Sequence, residues 1–287
     1  MPPIIFILEN IKIENLIVDF DVLNTEGETI SKKRAIDNIS LSINEGEFVC
    51  ILGKNGSGKS TLAKCLNALI LPTSGKVNIY GMNTQNEDDI INIRKNIGMA
   101  FQNPDNQIVA SIVEEDVAFG MENLAIPSDE MNRRIDESLK SLGIQELREA
   151  MTSKLSGGQK QKVSIAGILA MKSKIIVLDE PTSMIDKNGR RDLLDKVKKL
   201  NKEEKITVIL ISHYIEEITY ADRVIVLNKG KVVLDDTPKN VLLKEEILNN
   251  SGIELPYIPM MATELKKKGK ALVGNELSVD ELCQYLK

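Results

Sequence analysis

One stretch, Phe48–Leu66, limits what this chain can fold into more than any other part of its sequence. Five apolar residues (48–52) come first, the run GKNGSGKS (53–60) follows, and Leu62 and Leu66 then lie at helical spacing. The apolar run predicts a buried strand, so the order is strand, glycine loop, helix. The phosphate-binding pattern G-x-x-x-x-G-K-[ST] requires this context.

The glycine loop has the chemistry of a nucleotide site. Glycines let consecutive backbone N–H groups turn inward towards phosphate oxygens, and the helix N-terminus adds partial positive charge. The Lys59 side chain is expected to reach the β- and γ-phosphates, and the Ser60 hydroxyl to ligate Mg²⁺. The alternative is a glycine-rich turn that matches by chance, which the flanking strand and helix disfavour. The residues expected to contact the nucleotide are Gly53, Lys54, Asn55, Gly56, Ser57, Gly58, Lys59, Ser60 and Thr61.

The bulk properties are those of an ordinary globular protein. The length of 287 residues allows one large or two ordinary domains, and the net charge of −5 argues weakly against a nucleic-acid partner. No apolar run approaches the length that spans a bilayer, and Met1–Leu8 lacks the basic start of a signal peptide. Cys50 and Cys65 lie in apolar patterns typical of core thiols, so we expect a cytosolic chain.

Strand patterns surround the glycine loop. Residues 4–20 alternate polar and apolar in places and predict edge strands, and the polar residues 21–34 predict an exposed hairpin. Residues 106–172 are predominantly helical in pattern. The short apolar runs 175–178 and 206–211 are typical of buried parallel strands, with a charged amphipathic helix between them. Strands that alternate with helices predict an α/β fold with a mainly parallel sheet.

The end of the chain has a different pattern. From Thr237 the sequence becomes helical again, interrupted by Pro256 and Pro259. Ser278 and Glu281 are typical of a capping box that opens a last helix. We interpret residues 241–287 as a small C-terminal appendage.

The pentapeptide LSGGQ is the motif that most clearly indicates a protein family for this sequence. A serine hydroxyl and bare glycine amides at a helix N-terminus make a second anion site. With the glycine loop before it and an apolar strand ending in Asp179 and Glu180 after it, the sequence resembles the ATP-binding-cassette (ABC) ATPases over about 10–236. The resemblance implies a P-loop NTPase fold of ABC type: a mixed, mainly parallel sheet core, an antiparallel β subdomain and a helical subdomain of about 103–172, within an ATPase domain of 10–240. The pentapeptide is Leu155, Ser156, Gly157, Gly158 and Gln159.

The resemblance assigns roles to single residues. In this family the LSGGQ segment binds the γ-phosphate of ATP held by the opposite subunit, so that two chains enclose two ATP molecules head to tail. Asp179 would hold Mg²⁺ through water, and Glu180 would be the general base. The alternative for these paired acids is to cap the next helix. Gln102 matches the glutamine that touches Mg²⁺ or water and senses the transport partner, although it also suits an ordinary polar turn.

Three further positions match the family. His213, the only histidine, would be the switch residue that contacts the γ-phosphate, whereas a lone histidine is more often structural. Phe20 stands where tyrosine usually stacks on adenine, and its alternative is a place in the core. Asp186 matches the acidic position of the family's D-loop, but Met184 stands where small residues are commoner.

Residues 101–107 and 113–120 are similar to the ATPases of energy-coupling-factor (ECF) importers, and the hairpin around Gly27 and the appendage look like the first of their two ATPase subunits. This likeness implies an ATP-hydrolysing subunit at the cytoplasmic face of the membrane that uses ATP and Mg²⁺ to power uptake of vitamins or related micronutrients. Its partners would be a second ABC ATPase, identical or related, a transmembrane coupling subunit and a substrate-binding membrane subunit, with no nucleic acid. The alternatives are a conventional ABC importer ATPase for metal ions or other small solutes, and a non-transport ABC ATPase that acts on DNA or ribosomes. A regulatory binder without turnover is disfavoured because every catalytic position is filled.

Overall fold

The structure, a computed structural model, describes residues 9–255. The strands are β1 (Glu9–Leu23), β2 (Thr29–Asn44), β3 (Phe48–Leu52), β4 (Ser74–Ile79), β5 (Met82–Asn83), β6 (Ile97–Ala100), β7 (Ile175–Asp179), β8 (Thr207–Ser212), β9 (Arg223–Asn228) and β10 (Lys231–Asp236). The helices are α1 (Lys59–Leu66), α2 (Glu87–Asn96), α3 (Val113–Asn123), α4 (Ser128–Ser141), α5 (Gly157–Ala170), α6 (Lys187–Glu204), α7 (Pro238–Leu242) and α8 (Glu245–Asn250). Short 3-10 turns lie at Pro104–Asn106, Gln145–Leu147, Thr152–Lys154 and Ile215–Tyr220.

The strands form two sheets. Within residues 9–255, one sheet has six strands in the order β10-β9-β3-β8-β7-β6, and its neighbours are parallel except for the β9–β10 hairpin. The other sheet in this range has four antiparallel strands in the order β2-β1-β4-β5. The central strands β3, β7 and β8 are buried along their whole length, as their continuous apolar sequences predict. The predicted mainly parallel sheet and antiparallel subdomain are therefore confirmed.

Strand β3 separates two apolar cores because successive side chains of a strand point to opposite faces. Phe48, Cys50 and Leu52 join the core that helices α3 to α6 cover. Val49 and Ile51 join a second core, formed with α1, α2 and the antiparallel sheet. The strand that leads into the glycine loop is thus fixed from both sides.

The prediction of edge strands over residues 4–20 is wrong for the part described. Strand β1 begins at Glu9, pairs with β2 on one side and β4 on the other, and so lies inside its sheet. The alternation of Ile11 and Ile13 with polar residues shows that one face of the strand is buried. Interior strands of an antiparallel sheet have one buried face just as edge strands do, so the alternation does not distinguish them. Residues 4–8 lie outside the described residues.

The hairpin predicted over residues 21–34 is present. Strands β1 and β2 continue beyond the end of β4, and a turn at residues 24–28 joins them. The Asn24 carboxamide oxygen accepts hydrogen bonds from the backbone N–H groups of Glu26 and Glu28, 2.9 Å away in each case. The side chain of Asn24 therefore holds the turn that the polar sequence predicts.

Helices follow the predicted distribution. Helices α3, α4 and α5 fall within residues 106–172, and α7 and α8 follow Thr237. In residues 9–255 none of the helices combines the length and the apolar character needed to cross a bilayer. The interruptions at Pro256 and Pro259 and the capping box of Ser278 and Glu281 lie outside the described residues.

Candidate active site

The glycine loop and α1 form one wall of a cleft of about 270 Å³. Lys59, the first residue of α1, is buried, and its Nζ donates hydrogen bonds to the carbonyl oxygens of Gly53 at 2.7 Å and Lys54 at 3.3 Å. The ammonium group therefore lies over the loop, where it can neutralise phosphate charge. Residues from the loop and from two other segments line the cleft: Asn55, Gly56, Gly58, Lys59, Ser60, Thr61, Gln102 and Glu180.

Backbone contacts explain why Gly58 must be glycine. Its φ of 106° is in the region that glycine favours, and a Cβ would lie 2.7 Å from the Ala35 carbonyl oxygen. The neighbouring Ser57 carbonyl oxygen accepts a hydrogen bond from the Gly230 N–H at 2.9 Å. The Gly230 carbonyl oxygen in turn accepts one from the Asp37 N–H, also at 2.9 Å. The loop is thus joined to β2 and to the β9–β10 turn.

Asp179, at the end of β7, faces the start of α1. Its Oδ1 accepts a hydrogen bond from the Ser60 hydroxyl at 3.0 Å. Burial raises the pKa of the Asp179 carboxyl, and the negative charge of Glu180 raises it further, whereas the Ser60 hydrogen bond lowers it. A positive charge at this point would relieve the cost of the buried carboxylate.

The two oxygen donors fit the implied Mg²⁺. Mg²⁺ takes oxygen ligands and is usually bound by one or two protein groups together with substrate phosphates. The Ser60 hydroxyl and the Asp179 carboxylate are such donors, next to the phosphate loop. Among residues 9–255, no cluster of three or more acidic, histidine or cysteine side chains could hold a metal by itself.

Glu180 is the residue at which the predicted catalytic groups meet. Its Oε2 accepts a hydrogen bond from Gln102 Nε2 at 2.8 Å and lies 3.3 Å from His213 Nδ1. Its Oε1 lies 3.4 Å from Lys59 Nζ. The side chains come from the ends of β6, β7 and β8 and from the glycine loop, because the carboxyl ends of parallel strands meet at one edge of a sheet.

The backbone of Glu180 is unusual for a residue with a side chain. Its φ of 49° is in the left-handed region, where a non-glycine residue is strained. The Glu180 N–H donates to the Ile211 carbonyl oxygen at 3.0 Å, and the Ser183 N–H donates to the Glu180 carbonyl oxygen at 3.2 Å. The carboxylate is thus aimed by a turn held at both ends, as functional sites often require.

The LSGGQ segment does not line this cleft. It starts α5 with a capping box: Ser156 Oγ accepts from the Gln159 N–H at 3.3 Å, and Gln159 Oε1 accepts from the Ser156 N–H at 2.9 Å. The capping box therefore fixes the helix N-terminus that the sequence predicts as a second anion site, and this segment is not among the residues that line the cleft of the same chain.

Two alternatives from the sequence are wrong. The Phe20 side chain is 40% exposed on β1, so it is not a core residue. The acids Asp179 and Glu180 do not cap the next helix, because Asp186 caps α6 through a hydrogen bond from the Gly189 N–H to its Oδ1 at 3.2 Å. Asp186 is likewise absent from the residues that line the cleft.

Sequence reasoning missed a group of side chains behind Glu180 and His213. The Thr182 hydroxyl donates to Glu217 Oε1 at 2.6 Å, and both residues are buried. The Arg190 guanidinium lies 3.9 Å from the centre of the Tyr214 ring and donates to the Tyr214 hydroxyl at 2.9 Å. The only signal in the sequence was their closeness to the Asp-Glu pair and the histidine.

Comparison with known proteins gives the family. The pattern of the ABC transporter family matches residues 36–183, just over half of the chain. The energy-coupling factor transporter ATP-binding protein EcfA1 of Caldanaerobacter subterraneus subsp. tengcongensis is 50% identical over 262 residues, which cover 91% of this chain and 94% of that protein. EcfA1 of Clostridioides difficile is 48% identical over 276 residues, which cover 96% and 98% of the two chains.

Solved structures of ATP-binding cassettes support the same family assignment. The cbiO1 protein from Clostridium perfringens, part of the ABC transporter complex cbiONQ, is similar with a TM-score of 0.73 and 36% identity, over 87% of this chain and 97% of that one. A dimeric ATP-binding cassette bound to ADP and Pi is similar with a TM-score of 0.71 and 31% identity, over 79% and 98% of the two chains. The chain therefore belongs to the ABC transporter family, and within it to the ATP-binding proteins of energy-coupling factor transporters.

Proposed function

We propose that this chain binds ATP with Mg²⁺ in the cleft beside the glycine loop and hydrolyses it with Glu180 as the general base. The observation that carries the proposal is the meeting of Lys59, Gln102 and His213 at the Glu180 carboxylate. Charge neutralisation, proton acceptance and water positioning are the tasks of a phosphoryl-transfer site. Each has a side chain of the right chemistry here.

Each group has one task in hydrolysis. The Lys59 ammonium stabilises the negative charge of the β- and γ-phosphates, and the Ser60 and Asp179 oxygens would hold Mg²⁺, which neutralises further phosphate charge when bound. Glu180 Oε2 accepts the proton of the attacking water. Gln102 and His213, which both approach that oxygen, orient the water for attack in line with the γ-phosphate. Phe20 stacks on the adenine from β1.

A second ATPase subunit completes the site. The LSGGQ segment is preorganised but lies apart from the cleft of its own chain, so it serves the nucleotide held by a partner. A second copy of this chain or a related ATPase satisfies this requirement, and a similar cassette forms a dimer. ATP drives closure because its γ-phosphate binds both surfaces only in the closed pair. Hydrolysis removes this bridge and the pair reopens. Asp186 lies at this subunit interface.

Transport is the work that the cycle performs. The chain acts at the cytoplasmic face of the membrane, where closure and reopening move a transmembrane coupling subunit that works with a substrate-binding membrane subunit. The cargo is a vitamin or a related micronutrient. Support comes from relatives that are named as energy-coupling factor transporter proteins and from a structural relative that is part of a transporter complex.

The substitution Glu180→Gln tests the proposal, because it keeps the size of the side chain and removes the base. ATP turnover should fall by about 10² to 10⁴-fold while ATP binding is retained, and ATP should hold the subunits together in a complex detectable by size-exclusion chromatography. The matched control is Glu216→Gln, the same chemical change at an exposed acid. Turnover at the wild-type rate in Glu180→Gln would show that another group is the base.

Transport is tested separately in vesicles. The full-length chain is reconstituted with the membrane proteins that co-purify with it, and uptake of labelled vitamins is measured with ATP inside or outside. We expect ATP-dependent uptake with the wild-type chain and none with Glu180→Gln. Co-purification with ribosomes or DNA instead of membrane proteins would contradict the transport proposal.

A further inference from the structure

Behind the catalytic carboxylate, one buried hydrogen bond joins two loops. The Thr182 hydroxyl, in the turn after β7, donates to Glu217 Oε1 at 2.6 Å, in the 3-10 turn Ile215–Tyr220 after β8. Thr182 is 1% exposed and Glu217 is 5% exposed. Neither residue lines the cleft.

Stability alone does not explain a carboxylate here. Burial raises the pKa of the Glu217 carboxyl, and hydrogen bonds from the Thr182 and Ser212 hydroxyls oppose this rise. A buried carboxylate costs free energy even when it is hydrogen-bonded, and an apolar side chain of similar volume is often more stabilising. Glu217 therefore acts against the stability of the fold, as residues kept for a functional reason often do.

The bond connects the two groups that approach the attacking water. Thr182 is two residues after Glu180 in a tight turn, and Glu217 is four residues after His213. On the other side of the loops, Glu180 Oε2 and His213 Nδ1 are 3.3 Å apart. A shift of one loop relative to the other would change this separation directly.

Packing does not replace the bond. A cavity of about 620 Å³ borders Glu217 on the side of α6, and Ile185, Arg190, Tyr214 and Tyr220 also line it. The loops have room to move apart into this space once the bond is removed. The Arg190 guanidinium, which donates to the Ile185 carbonyl oxygen at 2.8 Å and stacks on Tyr214, also spans these loops.

We propose that Glu217 is a positioning residue for hydrolysis: its hydrogen bond with Thr182 fixes the separation of Glu180 and His213. This inference rests on the proposed roles of Glu180 and His213. Glu217 touches neither nucleotide nor water and acts through the two loops. A misplacement of about 1 Å in such a constellation costs about 10²-fold in rate.

The test compares two apolar variants with two conservative ones in the assembly in which the full-length chain hydrolyses ATP. Glu217→Leu and Thr182→Val each remove the bond, and each should lower kcat by about 10 to 10²-fold. The ATP Kd in the presence of Mg²⁺ should stay within about twofold of wild type. Glu217→Gln keeps an acceptor oxygen and Thr182→Ser keeps the hydroxyl, so both should stay within about threefold of the wild-type kcat.

A double variant separates positioning from a general loss of structure. If one bond is responsible, Glu217→Leu combined with Thr182→Val should be no slower than either single variant, because coupled effects do not add. Thermal unfolding of each variant is measured alongside. If Glu217→Leu does not fold, the Thr182→Val and Thr182→Ser pair decides the question.

Four outcomes would overturn the inference. They are an unchanged kcat in a folded Glu217→Leu or Thr182→Val protein, a parallel loss of ATP binding and kcat, additive losses in the double variant, and a Glu217→Gln protein as slow as Glu217→Leu. A wild-type protein that binds ATP without hydrolysing it would instead contradict the proposed function, so the two failures are distinguishable.

Discussion

The Ser60 hydroxyl donates a hydrogen bond to the Asp179 carboxylate across 3.0 Å, which joins the first turn of α1 to the end of β7. Two segments separated by more than a hundred residues thus bring their oxygens together beside the phosphate loop. The phosphates of a bound nucleotide and the carboxylate are all negative, so a divalent cation held between them would stabilise both.

The first prediction concerns this cation. Asp179→Asn keeps the oxygen that accepts from Ser60 and removes the charge. We expect the Mg²⁺ concentration for half-maximal ATP hydrolysis to rise by about 10 to 100-fold, as for other outer-sphere ligands. A magnesium titration at fixed ATP measures this shift, and Asp192→Asn, on α6, is the control. An unchanged titration midpoint in Asp179→Asn would remove Asp179 from the metal site.

The second prediction compares two glycines of the phosphate loop. Gly56 and Gly58 both have positive φ, 79° and 106°, so alanine strains the backbone at either position. Only at Gly58 would the Cβ also meet the Ala35 carbonyl oxygen, since nothing lies within 4 Å of a Cβ at Gly56. Gly58→Ala should therefore lower the free energy of unfolding by about 1 to 3 kcal/mol more than Gly56→Ala.

Urea unfolding followed by circular dichroism measures the difference, because the chain contains no tryptophan to serve as a fluorescent probe. Gly27→Ala, at a hairpin position with a φ of 84° and open space around the Cβ, reports the cost of the backbone strain alone. Equal destabilisation at Gly56 and Gly58 would mean that the loop moves away from β2 without cost.

The third prediction concerns pH. Burial raises the pKa of the Glu217 carboxyl above its ordinary value of 4.5, against the lowering effects of Thr182, Ser212, Arg190 and His213. The folded protein thus retains a proton that the unfolded chain releases, so this group lowers stability as pH rises from about 4.5 through the raised pKa. Glu217→Gln removes the effect.

Thermal unfolding of the wild type and of Glu217→Gln over a range of pH measures this contribution of Glu217 to stability. The stability of the variant relative to wild type should be lowest below pH 4.5, rise with pH, and level off once the raised pKa is passed. A difference that is constant over this range would show that Glu217 has the same pKa in the folded and unfolded states.

The fourth prediction concerns thiol chemistry. Burial raises the pKa of the Cys65 thiol to about 12 and raises that of Cys50 as well, and both residues are fully buried. The thiolate is the reactive form, so neither should react with iodoacetamide until the protein unfolds. The experiment uses a Cys283→Ser background and mass spectrometry, with urea as the positive control. Rapid labelling without urea would mean that these cores open frequently.

Local sequence was enough for the parts of the site that one segment builds. The glycine loop, the LSGGQ capping box and the acids at the end of β7 each depend on a strand or helix whose apolar pattern is adjacent in sequence. Their order predicted an α/β fold with a nucleotide site, whereas the family resemblance that they carry assigned the roles of Gln102, Glu180 and His213. In these segments the functional residues lie directly beside the apolar residues that predict the strand or helix.

Contacts between segments that are distant in sequence were harder to predict from the sequence. Glu217 and Thr182 are 35 residues apart, and an acid in a short polar turn is usually solvated, so nothing in the sequence predicted its burial. The interior place of β1 was missed for a similar reason. Alternation shows that one face is buried, but the neighbours of a strand depend on the pairing of distant segments.

The two hydrogen bonds of Gly230 restrict how the molecule can move. Through Ser57 and Asp37 they attach the phosphate-binding segment and the antiparallel sheet to the same tight bend. The proposed function places adenine on β1 and the phosphates in the glycine loop, so we expect the two ends of ATP to bind to segments that these hydrogen bonds connect. The movement that we propose between an open and a closed pair is then expected to occur outside the contacts that Gly230 makes with Ser57 and Asp37.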